Sequence, residues 1–302
     1  MIHTLTKYRR EIIFVFLAIG IQCVEAIVGS RFGEDYSNMS NCALIITGVC
    51  AVVFWLWTPS KLREPWLGLG LSDSIGKHLG IGLLMAVVYY SFSVILPWCL
   101  GILTIETNLH GILSTEALPL GGIRSGFFIL FIWFVFGIVN ALCGEELAFR
   151  GYLFGNLEKK SGFGMAVVWS TVVFVVWHLP SWVILDGRLE KPATLMLDAF
   201  WLALGTVALC LVFASTRGLY AVSLYHVIVH IKSHVLLCRI DRLTSENISN
   251  FFYVYWVNNA ILADVFNLAA MIGLISFGLW LRSRRDIAKD HVFRCDAVNF
   301  MK

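Results

Sequence analysis

Two adjacent carboxylates and a guanidinium, Glu145, Glu146 and Arg150, stand in the stretch Gly-Glu-Glu-Leu-Ala-Phe-Arg-Gly (144–151), directly after the almost purely apolar run 123–143. A charge at the centre of a membrane span costs roughly 2.5–3.5 kcal/mol on insertion scales, so three within six residues point to function. Residues four apart on a helix share a face, and acid before base is the favoured order, so Glu146 and Arg150 form a pair. Glu145 sits about 100° further round the helix, and four positions on from it stands Phe149, which offers no counter-charge. Glu146 therefore reads as structural, and Glu145 as a carboxylate placed for proton transfer.

Imidazoles supply the complementary chemistry. His178 lies in Phe174-Val-Val-Trp-His178-Leu-Pro180, where Pro180 is expected to kink or end the helix near the histidine. His226, His230 and His234 recur at intervals of four, which puts them on one helical stripe. Of these, His234 lies nearest the outer edge and is the weakest candidate.

The elements that must position these groups are membrane helices. The chain has 302 residues, of which 58% are hydrophobic and 14% charged, with a mean hydropathy of +0.78. That composition belongs to a polytopic membrane protein rather than a soluble domain. Apolar runs near 11–29, 39–58, 76–100, 123–157, 163–185, 194–215, 218–238 and 259–281 give an all-α fold of about eight transmembrane helices with the active site inside the membrane. The first run is too long for a cleaved signal segment and reads as a retained helix. Gly151 and Gly155, four apart in the fourth run, would let a neighbouring helix approach closely.

Charge patterning orients the chain. The N-terminus, the 59–77 segment, 158–162, Arg217 and the tail after 281 hold 15 Lys and Arg, against 7 in the alternate loops. The positive-inside rule then places both termini in the cytoplasm. The net charge of +3 reflects this topology and makes no case for nucleic acid. Residues 59–73, with Trp66 among basic neighbours, read as an interfacial connector, and 101–122 as the longest polar loop. Asn38 and Asn247 match a glycosylation acceptor in outer loops. Eight scattered cysteines without a Cys-x-x-Cys pair indicate neither a disulfide framework nor a thiolate zinc site. No internal repeat is visible, which weakens a transporter of duplicated halves.

Depth ties the candidates together. At 1.5 Å per residue, Glu145 lies about 21 Å from the helix end near Lys159 and His178 about 22 Å from Phe163. His226 and His230 lie about 14 and 20 Å from Arg217. One carboxylate and three imidazoles are thus expected at a similar level.

Glu-Glu-x-x-x-Arg (145–150), Phe-x-x-x-His (174–178) and the histidine motif at 226–230 resemble the three signature motifs of the CAAX protease and bacteriocin-processing intramembrane endopeptidase family. The likeness covers roughly 120–240. It implies that Glu145 and His178 activate a water for attack on a peptide carbonyl, that His226 and the residue at 230 stabilise the oxyanion, and that Glu146 and Arg150 hold the helix in register. The family usually has Asn, Asp or Ser at the position of His230; an imidazole N–H still donates a hydrogen bond there. Yet His-x-x-x-His on one helical face also binds zinc, and Glu145 and His178 would complete a tetrahedral site.

The sequence thus reads as three N-terminal helices with connectors (1–122), a catalytic helical core (123–240), and a final helix with a cytoplasmic tail (241–302). The expected activity is hydrolysis of a peptide bond in a membrane-associated peptide or protein, prenylated or leader-bearing, with the bilayer as second partner and no cofactor required. The alternatives are a zinc-dependent protease with Glu145, His178, His226 and His230 as ligands, a non-catalytic immunity or scaffold protein, and a transporter using the same charges as a proton relay.

Overall fold

With no water in the hydrocarbon to satisfy exposed peptide groups, each apolar run must bond its own backbone, and a helix does so. The computed structural model describes residues 2–32, 42–60, 75–107, 131, 134–231, 237–239 and 253–300. Its helices are α1 (Ile2–Phe32), α2 (Cys42–Trp57) and α3 (Ile75–Tyr90, carried on by a π turn Ser91–Ile95 and a last turn Leu96–Cys99). Next come α4 (helical at 134–140, a π helix over Ala141–Phe154, then Gly155–Ser161) and α5 (Phe163–Pro180, extended by a π turn Ser181–Leu185). The chain closes with α6 (Pro192–Thr216), α7 (Leu219–Ile231) and α8 (Ala260–Phe300).

Among the described residues, five helices are long and apolar enough to cross a membrane: Lys7–Phe32, Ile75–Cys99, Phe163–Leu185, Pro192–Thr216 and Ala260–Asp286. Cys42–Trp57 and Leu219–Val229 are shorter apolar helices. The protein is an all-α polytopic membrane protein. One feature the sequence reading did not anticipate is a small sheet of order β1-β3-β2, made by β1 (Leu103–Thr107), β2 (Leu237–Arg239) and β3 (Tyr253–Val257). β1 runs antiparallel to β3, with Leu103 opposite Val257, and β2 runs parallel to it. Most of the connector 59–73, most of the loop 101–122, Asn38, Asn247 and His234 lie outside the described residues.

The described chain divides into two compact units, one from 1–75, 142–222 and 275–302, the other from 76–141 and 223–274. In the first, Phe14 of α1 is fully buried, edge-on to Phe54 of α2 at 5.8 Å and to Tyr152 of α4 at 4.8 Å. Glu25, a carboxylate within α1, accepts a 3.1 Å hydrogen bond from the backbone N–H of Ala43. It thereby serves one of the four N–H groups that the first turn of α2 cannot satisfy internally.

The tightest helix contact falls beside the acidic pair. A Cβ added to Gly48 of α2 would stand 1.7 Å from the Cys143 carbonyl oxygen, and one added to Gly144 would stand 3.0 Å from the Leu44 carbonyl oxygen. Backbone therefore lies on backbone where α2 crosses α4, one residue before Glu145. Gly151 and Gly155 are buried, but it is Gly48 and Gly144 that set this approach. A methyl at Gly48 can be accommodated only by moving α2, and overpacking of this kind costs roughly 1–3 kcal/mol or more. Gly48→Ala is expected to lower the thermal midpoint in detergent clearly, whereas Gly164→Ala, with nothing within 4 Å, is expected to leave it unchanged or raised. Equal midpoints for the two variants would contradict the crossing.

Candidate functional site

Glu145 is 7% exposed, and Glu146 and Arg150 are 0% exposed, so solvent screens none of these charges. The sequence-expected pair is present: Arg150 Nη1 donates to Glu146 Oε1 at 3.3 Å. Desolvating two charges costs several kcal/mol per ion, which only further contacts offset. Arg150 has them. Its guanidinium lies 4.3 Å from the centre of the Phe174 ring on α5, and the fully buried Cys210 thiol of α6 lies against it. One side chain on α4 thus binds two other helices.

The local helix geometry differs from the sequence expectation. Residues Ala141–Phe154 form a π helix rather than an α helix, with bonds from i to i+5 and a wider turn. The same backbone climbs less per residue, so Glu145 lies nearer the Lys159 end than an α-helical rise predicts. The four-residue pairing of Glu146 with Arg150 survives the widening, at a longer separation than most charge-assisted hydrogen bonds.

Near His178 the α helix ends at Pro180, two residues on, as the proline led one to expect, but the chain stays helical and continues as a π turn over Ser181–Leu185. Pro180 has no N–H to offer the Val176 carbonyl, which removes one α-helical bond. Beyond it the ladder resumes with wider spacing, the Asp186 N–H reaching the Ser181 carbonyl at 3.1 Å.

His178 Nδ1 lies 2.8 Å from the Phe174 carbonyl oxygen. A carbonyl can only accept, so Nδ1 carries the hydrogen, and in the neutral ring Nε2 is then the acceptor. That is the state a general base or water-orienting group requires. Aromatic rings fix the imidazole further, with Phe174 at 4.6 Å, Trp177 at 4.8 Å and Trp182 at 5.4 Å between ring centres.

α4 and α5 form a helical hairpin about Gly162, whose φ of +82° permits the tight reversal. Phe149 of α4 meets Phe174 at 4.9 Å and Trp177 at 5.2 Å on α5. From that contact, Glu145 lies four residues toward the N-terminus of α4, and His178 four residues beyond Phe174 along α5. The packing therefore sets the carboxylate and the fixed imidazole at the same level of one hairpin.

Within the other unit, α7 carries His226 and His230. Tyr225 is buried edge-on to Tyr89 of α3 at 6.1 Å. The Tyr90 hydroxyl donates to the Ile228 carbonyl at 2.8 Å, and Val227 sits where a Cβ on Gly137 would come within 3.3 Å. His226 is half-buried and His230 lies on the last turn of the helix. The Tyr90 hydroxyl thus holds the turn between the two histidines. Sequence reasoning missed this residue, since a tyrosine pair in an apolar run carries no spacing signal. Glu145, Glu146, Arg150 and His178 belong to the first unit, and His226 and His230 to the second. Among the described residues, no three or more His, Cys, Asp or Glu side chains gather as a metal site.

Residues 126–231, about a third of the chain, match the family model described as "Type II CAAX prenyl endopeptidase Rce1-like". No curated protein and no solved structure matches the chain. The matched segment spans Glu145, Glu146, Arg150, His178, His226 and His230 together.

Removing one member of the buried pair strands the other, a loss of roughly 3–5 kcal/mol in comparable pairs. Glu146→Ala and Arg150→Ala are each expected to lower thermal stability, and the double variant to lose less than the sum. Additive losses in the double-mutant cycle would show that the pair carries no coupling.

Proposed function

We propose, from the match of residues 126–231 to the Rce1-like family model, that this protein is a glutamic-type intramembrane endopeptidase acting on a membrane-associated peptide or protein. What supports the proposal is a buried Glu145 carboxylate on the same α4–α5 hairpin as His178, whose Nδ1–H bond to Phe174 gives Nε2 the acceptor role. A water held by Glu145 and His178 Nε2 has both hydrogens accepted and a lone pair directed outward. As its oxygen bonds to the peptide carbonyl carbon, Glu145 takes one of its protons. The carbonyl π electrons move to oxygen, and N–H donors stabilise that oxyanion, the role that the sequence resemblance gives to His226 and His230. Glu145 then returns the proton to the leaving nitrogen as the C–N bond breaks, giving a carboxylic acid and an amine, and the second proton of the water passes from the new acid to the amine, leaving carboxylate and ammonium. General acid–base transfer of this kind contributes typically 10²–10⁴-fold, and fixed donors at the developing charge roughly 10²–10³-fold each.

Burial supports these roles, because a low-dielectric interior strengthens the electrostatic interactions that proton transfer and oxyanion stabilisation depend on. The bilayer supplies the medium and confines the substrate. The uneven basic residues support cytoplasmic placement of both termini, which orients α4 and α5 with the Lys159–Lys160 turn inward. No cofactor is needed for the reaction as written.

Glu145→Gln keeps the shape and a hydrogen-bonding end but cannot take a proton at this site. It is expected to reduce cleavage of a membrane peptide in liposomes by at least about 10²-fold with an unchanged thermal midpoint; turnover near the wild-type rate would overturn the general-base role. His230→Asn retains an N–H donor and is expected to keep substantial activity. Stoichiometric zinc in the wild type, lost from His230→Asn together with activity, would instead assign the zinc-dependent mechanism.

A further inference from the structure

A cavity of about 480 Å³ runs along the first unit between α1, α4 and α5. Its walls include Ile12, Val15 and Phe16 of α1, Leu153 and Leu157 of α4, and Val173 of α5. The two outer helices run parallel, since Lys7 of α1 contacts Lys160 beside the start of α5 and Gln22 contacts Ser181 at its end. From Tyr8 to Phe16, and equally from Met165 to Val173, the walls extend about 12 Å at the α-helical rise. One leaflet of a bilayer has about 15 Å of hydrocarbon, half of a core about 30 Å thick. Phe16, Met165 and Trp169 are exposed at 74%, 50% and 51%, so the cavity is a groove open to the side.

The two ends differ. At the far end every lining group is apolar. At the near end, Tyr8 lines the groove, with Lys7 Nζ 5.3 Å and Lys160 Nζ 5.8 Å from its ring centre. Glu11 is the one acid among the described lining residues, and both its oxygens accept from Lys160 Nζ at 2.7 Å. Lys160 also donates to the Lys7 carbonyl at 3.0 Å, which occupies its third hydrogen. Lys7 is exposed and donates to the Lys160 carbonyl at 2.8 Å, leaving two N–H groups of its ammonium directed elsewhere. Two cations and one carboxylate leave the rim with an excess positive charge.

An apolar slot one leaflet long with a cationic rim fits a single amphiphile. We infer that this groove binds an anionic phospholipid, one acyl chain lying between α1 and α5 and the phosphate meeting Lys7 at the rim. The bound lipid fills the space between α1 and the α4–α5 hairpin, so it stabilises the hairpin that carries Glu145 and His178. The site stands on the groove and its rim alone, and it holds whether or not the proposed hydrolytic roles do.

The test uses the full chain, purified in mild detergent, and native mass spectrometry after addition of phosphatidylglycerol or phosphatidylcholine of equal chain length. The wild type is expected to retain one phosphatidylglycerol at activation energies that strip phosphatidylcholine, with a raised thermal midpoint. Lys7→Gln is expected to weaken phosphatidylglycerol retention about fivefold and leave phosphatidylcholine unchanged, the effect of one basic side chain near an anionic headgroup. Val15→Trp fills the slot and is expected to abolish retention and the thermal shift; Ile12→Phe, a milder filling, serves the same purpose if Val15→Trp does not fold. Equal retention of the two lipids, undiminished retention in a folded slot-filled variant, or displacement of the lipid by a substrate peptide would each overturn the inference.

Discussion

A buried ion pair sets the terms for the first unit. Glu146 and Arg150 are wholly removed from solvent, and their mutual attraction alone does not repay that desolvation. Contacts to other helices, the Phe174 face on α5 and the Cys210 thiol on α6, offset part of that cost, while Arg150 Nε and Nη2 are buried with no hydrogen-bond partner among the described residues. Any movement of α4 relative to those helices would strip Arg150 of these partners, so the pair fixes where α4 sits. Glu145, one residue before Glu146, inherits its position from that constraint. Gly48 and Gly144 add a steric limit beside it, since α2 touches the backbone of α4 with no space for a methyl group.

The π helix is the second organising feature. Such segments are rare, are mostly single turns, and concentrate at functional sites. Here one extends over Ala141–Phe154 and another follows Pro180, so each helix of the α4–α5 hairpin carries widened turns near its candidate group. On α5 the cause is chemical, because Pro180 withholds an N–H. On α4 the glycines at 144 and 151 lower the cost of departing from α geometry, and the bilayer still demands that each freed carbonyl find a donor. A wider turn meets that demand without breaking the helix.

Much of this was legible in the sequence, for identifiable reasons. Charges are so costly in hydrocarbon that Glu145, Glu146, Arg150 and His178 declare themselves, and the i, i+4 spacing sufficed to pair Glu146 with Arg150. The all-α membrane class followed from apolar run lengths. What was not legible depends on partners distant in sequence. Phe174 as the platform for Arg150, Cys210 beside it, Tyr90 on the Ile228 carbonyl and Gly48 at the helix crossing all look like ordinary membrane residues. The π geometry was missed because periodicity arguments assume 3.6 residues per turn; the α helix ends at Pro180 as the proline suggested, but the π turn that carries it on was not foreseen. The strand pairing of Leu103–Thr107 with Tyr253–Val257 joins segments some 150 residues apart, with no alternation strong enough to announce it.

The central claim is that the α4–α5 hairpin directs water at a peptide carbonyl, and the fate of the water oxygen tests it most directly. Purified protein in liposomes, given a membrane-anchored peptide in water enriched in heavy oxygen, should yield two fragments whose masses sum to the substrate plus one water. The heavy atom should appear in the new carboxylate of the N-terminal fragment, and the fragments should be absent when Glu145 is replaced by Gln. Fragments that persist at full rate in that variant, or a wild-type product formed without incorporation of heavy oxygen, would contradict the account.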